Sequence, residues 1–114
     1  MAKSKLPDPL ARRHMIERDL GAEASLRTAE VYLAEGRSLE AIEFLQKADA
    51  TERLTELRAE AVRSGDAFLL RAVAGALEAT PDRAEWTALA DSAETAGKLH
   101  YAREARRQAG AGEG

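Results

Sequence analysis

Cysteine is absent from this chain of 114 residues, and aromatic residues make up only 4% of it. The lack of cysteine excludes disulfide bonds, thiolate zinc sites and cysteine nucleophiles, and it fits a reducing compartment. No apolar run approaches the ~20 residues of a membrane-spanning helix. Residues 1–5 carry charge with no apolar stretch behind them, so we expect no signal peptide. These absences, with a composition rich in alanine and arginine, favour a small cytoplasmic protein from a bacterium.

Good helix formers dominate the chain, because alanine, arginine, glutamate and leucine are abundant and β-branched residues are scarce. Gly21, Gly36, Gly65 and Gly97 each follow a helix-length stretch, where a left-handed C-terminal cap is favoured. The pattern predicts an all-α fold of about seven helices, over residues 9–19, 22–35, 38–48, 51–64, 66–79, 82–96 and 98–109. Since the connections are short, consecutive helices are expected to form antiparallel hairpins.

The segment 66–79 differs from the other predicted helices because it is apolar almost all round. Phe68, Leu69, Leu70, Val73 and Leu77 occupy most of its circumference. A helix of this kind is expected to be buried on more than one side. We therefore predict that this segment lies in the middle of the packed helices.

Glycine turns recur along the chain as Gly36-Arg37, Gly65-Asp66 and Gly97-Lys98, and each lies between two predicted helices of similar length. Such a period of about thirty residues indicates a repeated helix–turn–helix unit. The first unit carries small, aromatic and turn residues in the order Ala29, Tyr32, Gly36, Ala41 and Ala48. The third carries them as Trp86, Leu89, Ala90, Gly97, Ala102 and Ala109, and the middle unit matches clearly only at Gly65.

In this pattern the chain resembles the tetratricopeptide repeat (TPR) family. The resemblance implies a short right-handed α-solenoid of antiparallel helix hairpins over residues 8–109. Residues 1–7 would then be a flexible N-terminal segment, and residues 110–114 a disordered tail. In such repeats the large residue is buried between helices, so Trp86 is expected to lie in the core and not on a binding surface.

No constellation of residues in the sequence points to catalysis or to a metal. His14 and His100 lack the Glu-x-x-His spacing of di-iron helical bundles, and no serine lies in a nucleophile elbow. Carboxylate pairs such as Glu40 with Glu43 are expected by chance in a chain with 20 acidic residues. We therefore predict no catalytic residue, no metal site and no cofactor.

Charge is divided unevenly along the chain, although the net charge is only −3. Both ends are basic, through Lys3, Lys5, Arg12, Arg13, Arg103, Arg106 and Arg107. Basic ends can contact phosphates, which leaves a small nucleic-acid-binding helical protein as the alternative function. We favour polar capping of the terminal helices instead, because no aromatic residue is interleaved with these cations.

The resemblance also implies a concave groove on which a partner docks. The positions in this chain that match the groove are Leu26, Glu30, Leu33, Asp91 and Glu94. They are acidic or apolar, so they favour another protein or a peptide segment with apolar anchors and some basic character. A competing interpretation is that both leucines pack against the N-terminal helix. The sequence thus predicts a non-enzymatic interaction module, and a homodimer that covers one end remains open, since three units are about the minimum for a solenoid.

Overall fold

The computed structural model describes the backbone of residues 9–111 and the side chains of residues 21–110. Within this part of the chain there are six helices and no strand. The helices are α1 (Pro9–Ala34), α2 (Ser38–Lys47), α3 (Thr51–Ser64), α4 (Ala67–Leu77), α5 (Arg83–Thr95) and α6 (Leu99–Ala111). The predicted all-α class is confirmed for the described residues.

Three of the four predicted glycine turns are present. Gly36, Gly65 and Gly97 have φ angles of +78°, +72° and +76°, the left-handed conformation that reverses the chain between the helices of each hairpin. The helices that follow two of the loops begin at aspartate caps. Asp66 accepts a hydrogen bond from the backbone N–H of Leu69 at 3.0 Å, and Asp82 accepts one from Glu85 at 2.8 Å.

The fourth glycine turn, at Gly21, does not form. The two helices predicted over 9–19 and 22–35 are one continuous helix, α1, so the chain has six helices over residues 9–111 and not seven. Glycine in a helix interior costs only about 1 kcal/mol relative to alanine. Gly21 is followed by Ala22, Glu23 and Ala24, and the helix-forming tendency of these residues offsets that cost.

The helices pack as three hairpins, α1 with α2, α3 with α4, and α5 with α6. Neighbouring hairpins contact each other through α3 and α5 and through α2, α4 and α6. The thinnest dimension of the molecule is 18 Å, which fits two layers of helices. The core between the layers is built from small and aliphatic residues, with Leu45, Leu57, Leu70, Val73 and Leu89 as the largest fully buried side chains.

Trp86 is buried in this core, as expected. Helix α4 is also mostly buried, but Phe68 at its start is an exception, since 55% of its surface is exposed. At the C-terminal end, α6 includes Gly110 and Ala111, the first two residues of the segment for which a disordered tail was predicted. Residues 1–7 and 112–114, for which flexibility was predicted, lie outside the described residues. No helix of the described chain is both long and apolar enough to cross a membrane.

Two alanines at corresponding positions of the first and third hairpins allow a test of close helix packing. Ala41 in α2 is fully buried and Ala102 in α6 is 4% exposed. Replacing either by leucine should lower the free energy of unfolding by about 1–3 kcal/mol, because the added atoms overpack a filled contact. Urea denaturation followed by circular dichroism measures this change, and unaltered midpoints in both variants would contradict the close approach.

Candidate interaction surface

A cavity of about 450 Å³ lies between α1, α3 and the loop that joins α2 to α3. We call it the acidic valley. Its lining residues are Leu26, Glu30, Ala48, Asp49, Ala50, Thr51, Glu52, Arg53 and Glu56. Four carboxylates therefore face one arginine and one large apolar side chain, Leu26, which is 38% exposed. The valley contains two of the five predicted groove residues, Leu26 and Glu30.

Arg53 bridges the two walls of the valley. Its Nε and Nη2 atoms donate to the Glu30 carboxylate across the valley at 2.8 and 3.1 Å, and its Nη1 donates to Glu56 at 3.1 Å. The hydrogen bonds from Arg53 lower the pKa of Glu30 below its ordinary value. Asp49 and Glu52 have no hydrogen-bonding or ionic partner within the described side chains, so their charges face solvent without compensation. The valley therefore attracts positive charge.

The ion pair across the valley gives a testable pH dependence. The pKa of Glu30, followed by carbon-detected NMR of its carboxyl group, should lie below that of an exposed glutamate. Because the folded-state pKa is lowered, the pair contributes stability at neutral pH, and this contribution disappears as the pH falls through that pKa. In Arg53→Met the pKa of Glu30 should return toward its ordinary value. An unchanged pKa in this variant would show that Arg53 does not hold the carboxylate in solution.

The other three predicted groove residues lie elsewhere. Leu33 is partly buried and packs against the hydrophobic core. Asp91 and Glu94 both accept hydrogen bonds from Arg106 of α6, at 3.0 Å and at 2.8 and 3.1 Å. Their carboxylates are thus engaged within the α5–α6 hairpin. The competing interpretation for the leucines does not hold either, because residues 9–19 belong to the same helix as Leu26 and Leu33.

Sequence reasoning missed most of the valley. Asp49 and Glu52 lie at the junction of α2 and α3, in the unit where the repeat pattern is weakest. No local sequence pattern links Arg53 to Glu30, since the two are 23 residues apart and lie in different helices. A cluster of acidic residues between 49 and 56 was a signal that could have pointed to this surface.

The basic ends are only partly described. Lys3 and Lys5 lie outside the described residues, and Arg12 and Arg13 are placed by their backbone alone. At the C-terminal end, Arg106 pairs with Asp91 and Glu94, and Arg107 pairs with Glu104. Arg103 has no ionic partner among the described side chains.

The sequence matches no protein-family model, and comparison with curated proteins and with solved structures finds no match. Among the described side chains, no group of three or more histidines and carboxylates is placed to hold a metal ion.

Proposed function

We propose that this protein is a non-enzymatic protein–protein interaction module, built as a short TPR-like α-solenoid, whose acidic valley binds a segment of a partner protein. The observation that carries the proposal is the valley itself, because it combines an exposed apolar anchor with an excess of negative charge. The partner segment presents an apolar side chain to Leu26 and basic side chains to the carboxylates around it.

The order of helix contacts supports a solenoid. The third hairpin packs on the second through helices of the same position, α5 on α3 and α6 on α4, and the first packs on the second through α2, which contacts both α4 and α3. Stacking of successive helix pairs is how TPR-like repeats bury a continuous core. The three left-handed glycines at equivalent turns support the same arrangement.

The charge balance of the valley supports a basic partner. Arg53 is the one cation lining it, and two of the four carboxylates share that arginine. Charge complementarity of this kind raises the association rate and selects against acidic partners. The contribution of Leu26 to the free energy of binding depends on how much of its exposed apolar surface the partner covers.

Nucleic-acid binding through the basic ends remains the alternative function, and the described contacts favour it less. Arg106 already pairs with two acidic residues of α5, and Arg107 pairs with Glu104. Cations engaged in this way are less available for phosphate oxygens. The net charge of −3 also opposes association with a polyanion.

Affinity capture from lysate with matched baits tests the proposal. Proteins that use the valley should be retained by the wild type and by Glu60→Lys, and lost with the double variant Glu52→Lys, Glu56→Lys. Glu60 lies on α3 one turn beyond Glu56, is exposed and does not line the valley, so Glu60→Lys controls for the introduction of a lysine on this helix outside the valley. Identical capture by all baits, or loss only with Arg103→Glu, would contradict the proposal. Binding of random DNA at about 150 mM salt would favour the alternative.

A further inference from the structure

A second surface, on the side of α4 and α6, combines aromatic rings with positive charge. Phe68 of α4 and Tyr101 of α6 meet edge to face, with ring centroids 5.6 Å apart and planes at 87°. They lie in a cavity of about 170 Å³ whose other lining residues are Ala67, Arg71, His100, Glu104 and Arg107. Phe68 is 55% exposed, so an apolar ring projects from a charged surface.

The positive charge of this surface is only partly neutralised. Arg71 and Arg107 both donate to Glu104, which also accepts a hydrogen bond from Gln108. The single carboxylate of Glu104 thus pairs with two guanidinium groups, which leaves one positive charge without a counter-charge. A neighbouring cavity of about 260 Å³ shares His100, Glu104 and Arg107 and adds Arg103. We call this surface the basic patch, defined by Phe68, Arg71, His100, Tyr101, Arg103 and Arg107.

The basic patch and the acidic valley are complementary in both charge and apolar content. The valley has the uncompensated carboxylates of Asp49 and Glu52 around an exposed Leu26. The patch has an exposed Phe68 in one cavity and the uncompensated cation of Arg103 in the neighbouring cavity. The valley lies on α1, α3 and the loop before α3, and the patch lies on α4 and α6, so the two surfaces share no lining residue.

We propose that the basic patch of one copy of this chain binds in the acidic valley of a second copy. Phe68 enters the valley against Leu26, and the arginines of the patch face Glu52 and Glu56. The volume of the valley, about 450 Å³, is large enough for a phenylalanine side chain with its flanking groups. A contact between two different surfaces leaves a free valley at one end and a free patch at the other, so association continues head to tail or closes into a ring.

Only one large apolar side chain enters the valley at each junction, and most of the attraction comes from exposed charges. Attraction of this kind weakens as salt shortens the distance over which charges interact. Self-association therefore depends on both concentration and salt. It also occupies the valley that the proposed function assigns to a foreign partner, so binding of that partner competes with self-association.

Sedimentation velocity on the purified full chain tests this inference. From about 10 µM to about 1 mM protein in about 20 mM salt, the weight-average mass should rise above the 12.3 kDa of the monomer. In about 500 mM salt it should return to the monomer mass. A wild-type protein that stays monomeric throughout the low-salt series overturns the inference, and binding of a single-stranded oligonucleotide by that monomer would give the patch a different occupant.

Variants that replace charged side chains by glutamine test the two surfaces separately. The valley variant Glu52→Gln, Glu56→Gln and the patch variant Arg103→Gln, Arg107→Gln should each weaken association by about tenfold or more. Mixed together, they should form a dimer of one copy of each, because one intact valley and one intact patch remain. Glu60→Gln and Arg63→Gln, both on exposed positions of α3 outside these surfaces, should associate like the wild type.

Association that persists in both variants, or a mixture that stays monomeric, overturns the contact between valley and patch. Phe68→Ser tests the apolar anchor separately and should also weaken association, with circular dichroism confirming the fold. These readouts use only the purified chain, so they distinguish failure of this inference from failure of the proposed function, which is measured by capture of other proteins.

Discussion

Gly65→Ala should lower the free energy of unfolding by about 3 kcal/mol and the melting temperature by about 10 °C. A Cβ atom at this position would lie 2.6 Å from the Cα and 2.7 Å from the backbone nitrogen of Ala93. These are backbone atoms of the buried face of α5, so they cannot move aside as the end of a flexible side chain could. The φ angle of +72° adds the strain of a left-handed conformation.

The other two glycine turns provide matched controls for this prediction. Gly36 and Gly97 have the same left-handed conformation, but a Cβ atom at either position would have no heavy atom within 4 Å other than those of the glycine and its adjacent residues. Gly36→Ala and Gly97→Ala should therefore cost only the conformational part, about 1 kcal/mol. Thermal denaturation of the three variants therefore separates the cost of the left-handed backbone conformation from the cost of the contact between the added Cβ atom and Ala93. If Gly65→Ala loses no more stability than the controls, α3 and α5 do not approach as closely as described.

Arg58→Met should lower the free energy of unfolding by about 2 kcal/mol, the second large effect we expect. Arg58 of α3 donates to both carboxylate oxygens of Glu85 of α5, at 2.6 and 2.7 Å, and to the carbonyl oxygen of Ala79 at 2.7 Å. Its side chain is 15% exposed and that of Glu85 is 24% exposed. Removal of the arginine leaves a half-buried carboxylate and a carbonyl group without their donor.

The pair between Arg53 and Glu30 is the appropriate comparison, since it also has bidentate geometry between neighbouring hairpins. These side chains are 31% and 47% exposed, so Arg53→Met should cost about 0.5 kcal/mol. Adding Glu85→Leu to Arg58→Met should recover most of the lost stability, because the unpaired charge is then removed. Urea denaturation measures both losses of stability. Equal losses in Arg53→Met and Arg58→Met would show that burial does not make the pair of Arg58 with Glu85 more important for stability.

The fold class and most helix ends could be predicted because they depend on local signals. Glycine turns and an aspartate cap act within a few residues of their own position, and Gly36, Gly65 and Gly97 fall where such signals are strong. Gly21 failed as a boundary because a glycine ends a helix only when the following residues disfavour continuation. The five-residue loop between α4 and α5 ends at Asp82, whose side chain caps α5 within three residues of its own position.

The candidate surface could be predicted only in part, because it depends on contacts across hairpins. Glu30 occupies a repeat position on the groove and lines the valley, yet Asp91, at the same position of the third unit, pairs with Arg106, as does Glu94. A repeat position fixes where a residue lies on its helix but not which charge of another helix reaches it. The exposure of Phe68 could not be predicted for a similar reason. Whether an apolar residue at the start of a helix is buried depends on which other helices pack against it.

The contacts between successive hairpins also determine how this chain reaches and leaves its folded state. Each hairpin closes over a short stretch of sequence and then packs on the next one, so few contacts require distant segments to find each other. Folding of such chains is fast, in microseconds to milliseconds, because little loop entropy is lost before contacts form. The hairpin of α3 and α4 packs on neighbours at both sides, whereas α1 with α2 and α5 with α6 each pack on one side. Amide hydrogens of α3 and α4 should therefore exchange last, while the outer hairpins open and close around them.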